Sequence, residues 1–347
     1  NLGVEIGDRV LMMVRDTPNF FYIYLGLLKI GAVPVGLSTR LAAKDLAYII
    51  DDSGSNLFIL DHCFSNLYND GLDLALNLPT TMYTGMNFEG ELHFEPLLRD
   101  AMDDLKVVQL RRNDPAIWMY SSGTTGKPKG VRRAMMQIDP DSAATMMAML
   151  LMLFGIQPQN DNVHFCGSPL YHTAVMNWST NSLHYGHMVV LHDTWDAERM
   201  LQAVERYRIT TAHLVPTQMV RLHKLPDSTR TAFDVSSMRH MLHTAAPCPP
   251  DVKRDIINWW GPCVYEYYAS TEGGGTLVNS EDWLKHPGTV GRPWPTADIK
   301  IYDDEGAEQP TGELGTIYML MSDLSKFEYK GDKEKTERDR FGDYFTA

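Results

Sequence analysis

The chain has 347 residues, room for about two domains at roughly 150 residues each. Its 44% apolar and 22% charged residues are an ordinary globular composition, which excludes disorder, collagen and a coiled coil. With 31 Lys+Arg against 44 Asp+Glu the net charge is −13, which argues against nucleic acid as a partner and against broad adhesion to anionic membranes, but leaves room for a local basic site.

Arg9–Val14 (RVLMMV) is an apolar run of strand length, and Pro18–Ile30 reads as a helix with Pro near its start and Gly31 after its end. Val33–Leu37 is a second strand, Lys44–Asp52 a helix stopped by Gly54, and Leu57–Leu60 a third strand. This alternation predicts a parallel sheet with crossover helices. Ala116–Met119 reads as a strand leading into the richest segment of the chain. The apolar run Ala143–Ile156 spans 14 residues, short of the ~20 needed to cross a bilayer, and reads as a buried helix in a Met-rich core. The alternation then returns: strands at Met188–Leu191, Ala212–Val215, Arg239–His243 and Cys263–Tyr267, helices at Asp196–Tyr207, Gln218–His223 and Asp251–Trp260. From Gly288 the texture changes to alternating runs, Ala297–Tyr302 and Leu314–Leu320, joined by acidic Gly-rich turns, which predicts a small antiparallel β-barrel-like subdomain. The expected layout is therefore an α/β core of two subdomains over 1–287 and a β subdomain over 288–347.

Tyr120–Arg133 reads YSSGTTGKPKGVRR. Gly123, Gly126 and Gly130 let backbone N–H groups approach an anion, Ser121, Ser122, Thr124 and Thr125 add hydroxyl donors, and Lys127 and Lys129 add charge. Between Asp114 and Asp139 stand four basic residues and no acidic one, a local inversion of sign in an acidic chain. This is not a Walker loop, because Pro128 stands where Ser or Thr must follow the Lys, and no G-x-G-x-x-G fingerprint occurs.

The segment resembles the phosphate-binding signature of the adenylate-forming (AMP-binding) superfamily, which includes acyl-CoA synthetases, luciferases and peptide-synthetase adenylation domains. Tyr268–Glu272 (YASTE) resembles that family's Tyr-Gly-x-Thr-Glu motif, with Ala269 where Gly is usual. Pro169–His172 (PLYH), Ala245–Pro247 (AAP), Gly288–Pro293 (GTVGRP), Gly312–Tyr318 (GELGTIY) and Phe341–Ala347 (FGDYFTA) resemble its further motifs in order. The resemblance implies the large N-terminal part of such an enzyme, built of α/β subdomains with parallel-rich sheets. It implies attack of a carboxylate on the α-phosphate of ATP, release of pyrophosphate and transfer of the acyl group to coenzyme A. It places Lys127, Lys129 and the residues 121–126 at the phosphates, and Thr271 at the α-phosphate. Glu272 becomes a ligand for Mg²⁺, and His172 stands beside the carboxylate. Tyr268, with Glu266, Tyr267, Ala245, Ala246 and Pro247, surrounds the adenine. Ala174, Met176 and Trp178 line an acyl pocket. No segment resembles the family's C-terminal lid domain, which carries a catalytic lysine.

His172–Ser182 contains no acid to pair a substrate amine, which argues against an amino-acid substrate and for a fatty or bulky apolar acid. The alternative is a nucleotide- or acyl-adenylate-binding module without turnover. His184, His187 and His192 have metal-like spacing, but no Cys, Asp or Glu completes a set, so they read as structural or solvated. Asn177–Ser179 matches a glycosylation sequon of a kind that recurs by chance. Four cysteines without C-x-x-C spacing and no recognisable signal peptide lead us to expect the cytoplasm, with a homodimer and peripheral membrane attachment left open. Asn1 in place of Met and a break at Ala347 within a motif suggest a processed or partial chain.

Overall fold

Short apolar runs form the strands and amphipathic stretches the helices between them, in a computed structural model that describes residues 2–86, 89–111, 114–121, 129–133, 139–158, 161–270, 273–295, 297–320, 327–329 and 337–346. The chain divides into two compact units: unit one is Asn1–Met135, Pro169–Tyr171 and Glu328–Gly331, and unit two is Met136–Ser168, His172–Phe327 and Asp332–Ala347.

Unit one runs β1 (Arg9–Met13), α1 (Pro18–Lys29), β2 (Val33–Gly36), α2 (Ala43–Ser53), β3 (Leu57–Asp61), α3 (Ser65–Leu72), β4 (Thr80–Thr84) and α4 (Phe94–Asp100). The strands form a parallel sheet in the order β2-β1-β3-β4, with Val10 opposite both Pro34 and Leu57. Pro18 opens α1, where a missing N–H costs nothing. Gly54 ends α2 at φ 57, a left-handed conformation that an L side chain resists. Leu11, Val35, Leu46, Ile50, Phe58 and Leu60 close one core, each fully buried side chain stabilising the fold by about 1.5–3 kcal/mol. Two further strands, β5 (Tyr120–Ser121) and β6 (Lys129–Arg133), pair antiparallel. The strand expected at Ala116–Met119 is thus displaced to its end. Pro115 has no N–H for a ladder, and the stretch contributes a bond of 3.4 Å from Trp118 N to Pro34 O.

Unit two begins with α5 (Pro140–Met152), β7 (Val163–Cys166), α6 (Thr173–His184), β8 (Met188–Leu191), α7 (Ala197–Tyr207), β9 (Thr211–Leu214), α8 (Pro216–His223) and α9 (Asp227–Arg230). It continues with β10 (His240–His243), α10 (Pro250–Trp260), β11 (Val264–Ser270), β12 (Gly273–Val278), α11 (Ser280–Lys285) and β13 (Arg292–Pro293). Then follow β14 (Ile299–Tyr302), β15 (Thr316–Leu320), β16 (Phe327–Tyr329), β17 (Arg340–Phe341) and β18 (Tyr344–Phe345). The last two residues of β16 belong to unit one, where the strand lies beside β6.

Seven strands form the central sheet in the order β13-β12-β11-β10-β9-β7-β8, parallel from β8 to β11 and antiparallel beyond. Side chains alternate across it. Phe165, Ala212, Met241 and Val264 face the core of α7, α8 and α10, while Leu242, Tyr265 and Tyr267 face Leu151, Phe154 and Trp178 on the other side. A four-stranded antiparallel sheet, β14-β15-β18-β17, follows. The strands that precede it stay with the central sheet as far as Pro293.

The Met-rich helix corrects an expectation. Among the described side chains of α5 only Ala148 and Leu151 are fully buried, and Met146, Met147, Met149 and Met152 stand 43–51% exposed. A helix of 13 residues turns one stripe to its neighbours, and here the methionines occupy the other stripes.

Candidate active site

The parallel strands β7, β9, β10 and β11 end at one edge of the central sheet, the edge where open α/β sheets bind ligands. Ala245, Ala246 and Pro247 follow β10 there and are exposed. His243 is the register partner of Glu266, the last pair between β10 and β11, and Ala245 and Tyr268 each follow that pair by two residues. Tyr268 is 39% exposed and borders a groove of about 230 Å³ shared with Thr316, Ile317, Met319, Phe345 and Thr346. His172 is exposed one residue before α6. Tyr268 and the Ala245–Pro247 turn therefore both lie just beyond the last β10–β11 pair, at the same edge of the sheet.

The backbone is strained at one of these residues. Ala245 has φ 78, which costs a side-chain-bearing residue about 1–2 kcal/mol and which persists where the surroundings hold it. Ala269 carries no such strain. It sits where the β11–β12 register shifts between Tyr268 and Ser270, so a bulge absorbs the residue.

Glu266 and Tyr267 turn away from this edge. Glu266 is 7% exposed, accepts a 2.5 Å bond from Lys253 Nζ and has His243 Nε2 at 3.6 Å. Lys253 is fully buried and lies over the Trp283 ring. Burial lowers the Lys253 ammonium pKa against the pull of Glu266, and burial together with Lys253 drives that of His243 well below 6.5. On the opposite face the Tyr267 hydroxyl accepts from Trp178 Nε1 at 3.2 Å and shares a hydrogen bond of 2.8 Å with His213 Nε2. Burial pushes His213 down to about 4, so the ring is neutral near pH 7. Of the three residues expected to line an acyl pocket, Ala174 is half-buried, Met176 is 7% exposed, and Trp178 is 1% exposed and packed edge-on to Phe154.

Ser122, Gly123, Thr124, Thr125, Gly126, Lys127, Thr271 and Glu272 lie outside the described residues. Of Ser121 and Lys129 the backbone is described, and the two are register partners across β5 and β6. The sequence reading passed over Lys253, His213 and His243. Their signal was a polar residue inside an otherwise apolar element, as in TAHL and HMLH.

The chain matches the AMP-binding enzyme family over residues 1–325. It is similar to the 3-hydroxybenzoate–CoA/4-hydroxybenzoate–CoA ligase of Thauera aromatica, 28% identical over 355 residues that cover 99% of this chain and 66% of that protein. It is also similar to the long-chain-fatty-acid–CoA ligase FadD13 of Mycobacterium tuberculosis, 29% identical over 98% of this chain and 65% of the relative. The inhibitor-bound N-terminal domain of FACL13 from Mycobacterium tuberculosis superimposes with a TM-score of 0.82 at 26% identity, covering 100% of this chain and 83% of that one. An adenylate-forming type of protein is thus what fold and motifs define. This chain belongs to the AMP-binding enzyme family. It spans 66% and 65% of the length of the two ligases named here.

Proposed function

We propose that the chain is the nucleotide- and acid-binding part of an ATP-dependent, AMP-forming acid–thiol ligase. The observation that carries this reading is the position of Tyr268 and of the Ala245–Pro247 turn just beyond the last β10–β11 pair, at the carboxyl edge of the seven-stranded sheet, in a chain of this family. A carboxylate oxygen of the substrate attacks the α-phosphorus of ATP, pyrophosphate leaves with the electron pair of the broken P–O bond, and an acyl-adenylate remains. Coenzyme A thiolate then displaces AMP. Exposed Tyr268 offers a ring face to adenine, and His172, exposed at the start of α6, is the residue that meets the carboxylate. The phosphates fall to Lys127, Lys129 and the hydroxyls of the 121–125 segment. Glu272 suits Mg²⁺ by its chemistry as a hard oxygen donor, and this assignment rests on its motif alone.

The acid in this proposal is bulky and apolar. The interior around Met176 and Trp178 offers aromatic and thioether surface and no counter-charge for an amine. Relatives named for hydroxybenzoates and for long-chain fatty acids support both an aromatic and an aliphatic tail. No helix of the described residues is long and apolar enough to cross a membrane, and we place the protein in the cytoplasm. A homodimer and peripheral membrane attachment stay proposals of the same rank.

The test is pyrophosphate–ATP exchange by this chain across benzoates, cinnamates and fatty acids of graded length. Exchange with one apolar class and none with amino acids is the expected result. Binding of an acyl-adenylate analogue without exchange for any acid would replace the ligase by a module that binds without turnover.

A further inference from the structure

Unit one holds a cluster that the ligase reading does not use. His62 Nε2 lies 2.7 Å from Glu91 Oε2, and His93 Nε2 lies 3.1 Å from the same oxygen. The three donor atoms lie within 4.8 Å of one another. They come from separate parts of the chain: His62 opens the short turn His62–Phe64 after β3, Glu91 lies 29 residues on, and His93 directly precedes α4.

The mount is rigid. Asp61 accepts from the Cys63 amide at 3.1 Å, from Arg15 at 3.0 Å and from Thr84 at 3.3 Å, which fixes the turn that carries His62. The His62 ring stacks on Tyr83 with centroids 4.2 Å apart, and Tyr83 N bonds Leu92 O at 2.8 Å, which fixes the strand end beside His93. Both imidazoles are buried, with side chains 8% and 3% exposed, while Glu91 at 30% leaves a way in from solvent.

We propose that His62, Glu91 and His93 form a binding site for a zinc-class divalent cation that pins the 89–93 segment to the parallel sheet. Two imidazole nitrogens and one carboxylate oxygen are a ligand set for zinc with a fourth position left for water. Nitrogen donors disfavour Mg²⁺ and Ca²⁺, which take oxygen. A tetrahedral ion with bonds of about 2.0 Å spaces its ligands about 3.3 Å apart. The contacts of 2.7 and 3.1 Å reach that spacing by movements of a few tenths of an ångström. A second contact supports the same assignment. Ser65 Oγ donates its proton to His62 O at 2.8 Å, so towards His62 Nδ1 at 3.4 Å it presents a lone pair. A proton on Nδ1 suits that lone pair and leaves the Nε2 lone pair for a metal, with the Ser65 hydroxyl orienting the ring.

The experiment uses the whole chain stripped with a chelator, then titrated with Zn²⁺ by calorimetry and with Co²⁺ by visible absorption. The expected result is one equivalent of Zn²⁺, d–d bands of low-symmetry Co²⁺ and a higher melting temperature with Zn²⁺. His62→Ala and His93→Ala should abolish all three. Glu91→Gln preserves shape at a partly exposed position and should weaken Zn²⁺ by about tenfold or more while the metal-free protein melts as before. His184→Ala should bind as the unaltered chain does. Absence of stoichiometric binding, equal binding by Glu91→Gln and the unaltered chain, or a loss in His184→Ala in place of His62→Ala would each overturn the proposal.

Discussion

Strands β1, β2 and β3 of unit one spell RVLMM, VPVG and LFILD, and apart from Arg9 and Asp61 at their ends they present apolar side chains. Strands β7, β9 and β10 of unit two are nearly as buried, yet they spell VHFC, TAHL and HMLH and enclose His164, His213 and His243. The first sheet is held by transfer of apolar surface from water. The second carries polar groups for which burial is unfavourable unless each finds a partner. His164 Nδ1 meets Thr211 at 2.9 Å, His213 meets Tyr267, and Lys253 meets Glu266. Those partners tie β7 to β9, and β9 and α10 to β11, the strand that carries Tyr268. The difference teaches that the sheet carrying the candidate site is the one specified by polar pairing.

Acid gives the largest expected effect. Burial holds His164 at about 3 and His213 at about 4, against 6.5 in the open chain. Above pH 6.5 both rings are neutral in either state, and stability is full. As pH falls from 6.5 towards 4, the unfolded chain takes up protons that the folded one refuses. Stability then drops by about 1.4 kcal/mol per pH unit for each ring. Unit two should lose on the order of 5 kcal/mol between pH 6.5 and 4.5 from these two residues. The sheet of unit one has no histidine in its strands. Although burial opposes it, the Cys63 and Arg15 bonds hold Asp61 below its usual 3.8, so the contribution of Asp61 is lost only in stronger acid. Segment-resolved hydrogen exchange at pH 7 and 5 measures this, and equal loss of protection in both sheets would break the comparison.

Next comes the buried pair. Lys253→Met leaves the Glu266 carboxylate buried without its cation and should cost about 3–5 kcal/mol in urea unfolding, most of which Lys253→Met/Glu266→Leu recovers. Leu60→Ala in unit one should cost about 2–5 kcal/mol through its cavity, with no such rescue by a second polar-to-apolar change. A cost for Lys253→Met below about 1 kcal/mol would show that the pair does not hold unit two in the way described.

The smallest effect sharpens the comparison at the backbone. Gly54 at φ 57 and Ala245 at φ 78 occupy the same left-handed region, one with the residue that fits and one without. Gly54→Ala should destabilise unit one by about 1 kcal/mol, and Ala245→Gly should stabilise unit two by up to about 1 kcal/mol. Thermal melts of the two variants measure the opposite signs. A destabilised Ala245→Gly would mean that the Ala245 side chain is held by contacts that outweigh its strain.

Much of the fold was legible because its signals are local. Pro18 before an apolar helix, Gly54 after α2 and the four-residue run LFIL each act within one turn or one strand, and the elements formed within a residue or two of expectation. The helix expected at Asp196–Tyr207 formed as α7, with Ala197, Met200, Leu201 and Val204 buried on one face and Tyr207, at its end, 40% exposed. The run Ala143–Ile156 misled for a physical reason. Methionine is apolar enough to extend a hydrophobic stretch, and hydrophobicity along a helix says nothing of which stripe has a neighbour. Tyr267 and Tyr268 are chemically identical neighbours, yet one faces His213 and Trp178 and the other borders the groove. Alternation along a strand separates them, and only the packing on each face says which is which.

By itself the sequence determined the order of strands and helices, the antiparallel ending and the order of motifs that marks the family, since each depends on residues close together along the chain. Tertiary structure alone decided the partners. It joined Lys253 to Glu266, set Tyr268 and the turn after β10 at one edge of the sheet, and gathered His62, Glu91 and His93 onto one point. The reason is geometric. Partnership follows from register and from the path of the loops, and a shift of one residue in the register of β11 would turn Glu266 and Tyr268 to the opposite face of the sheet.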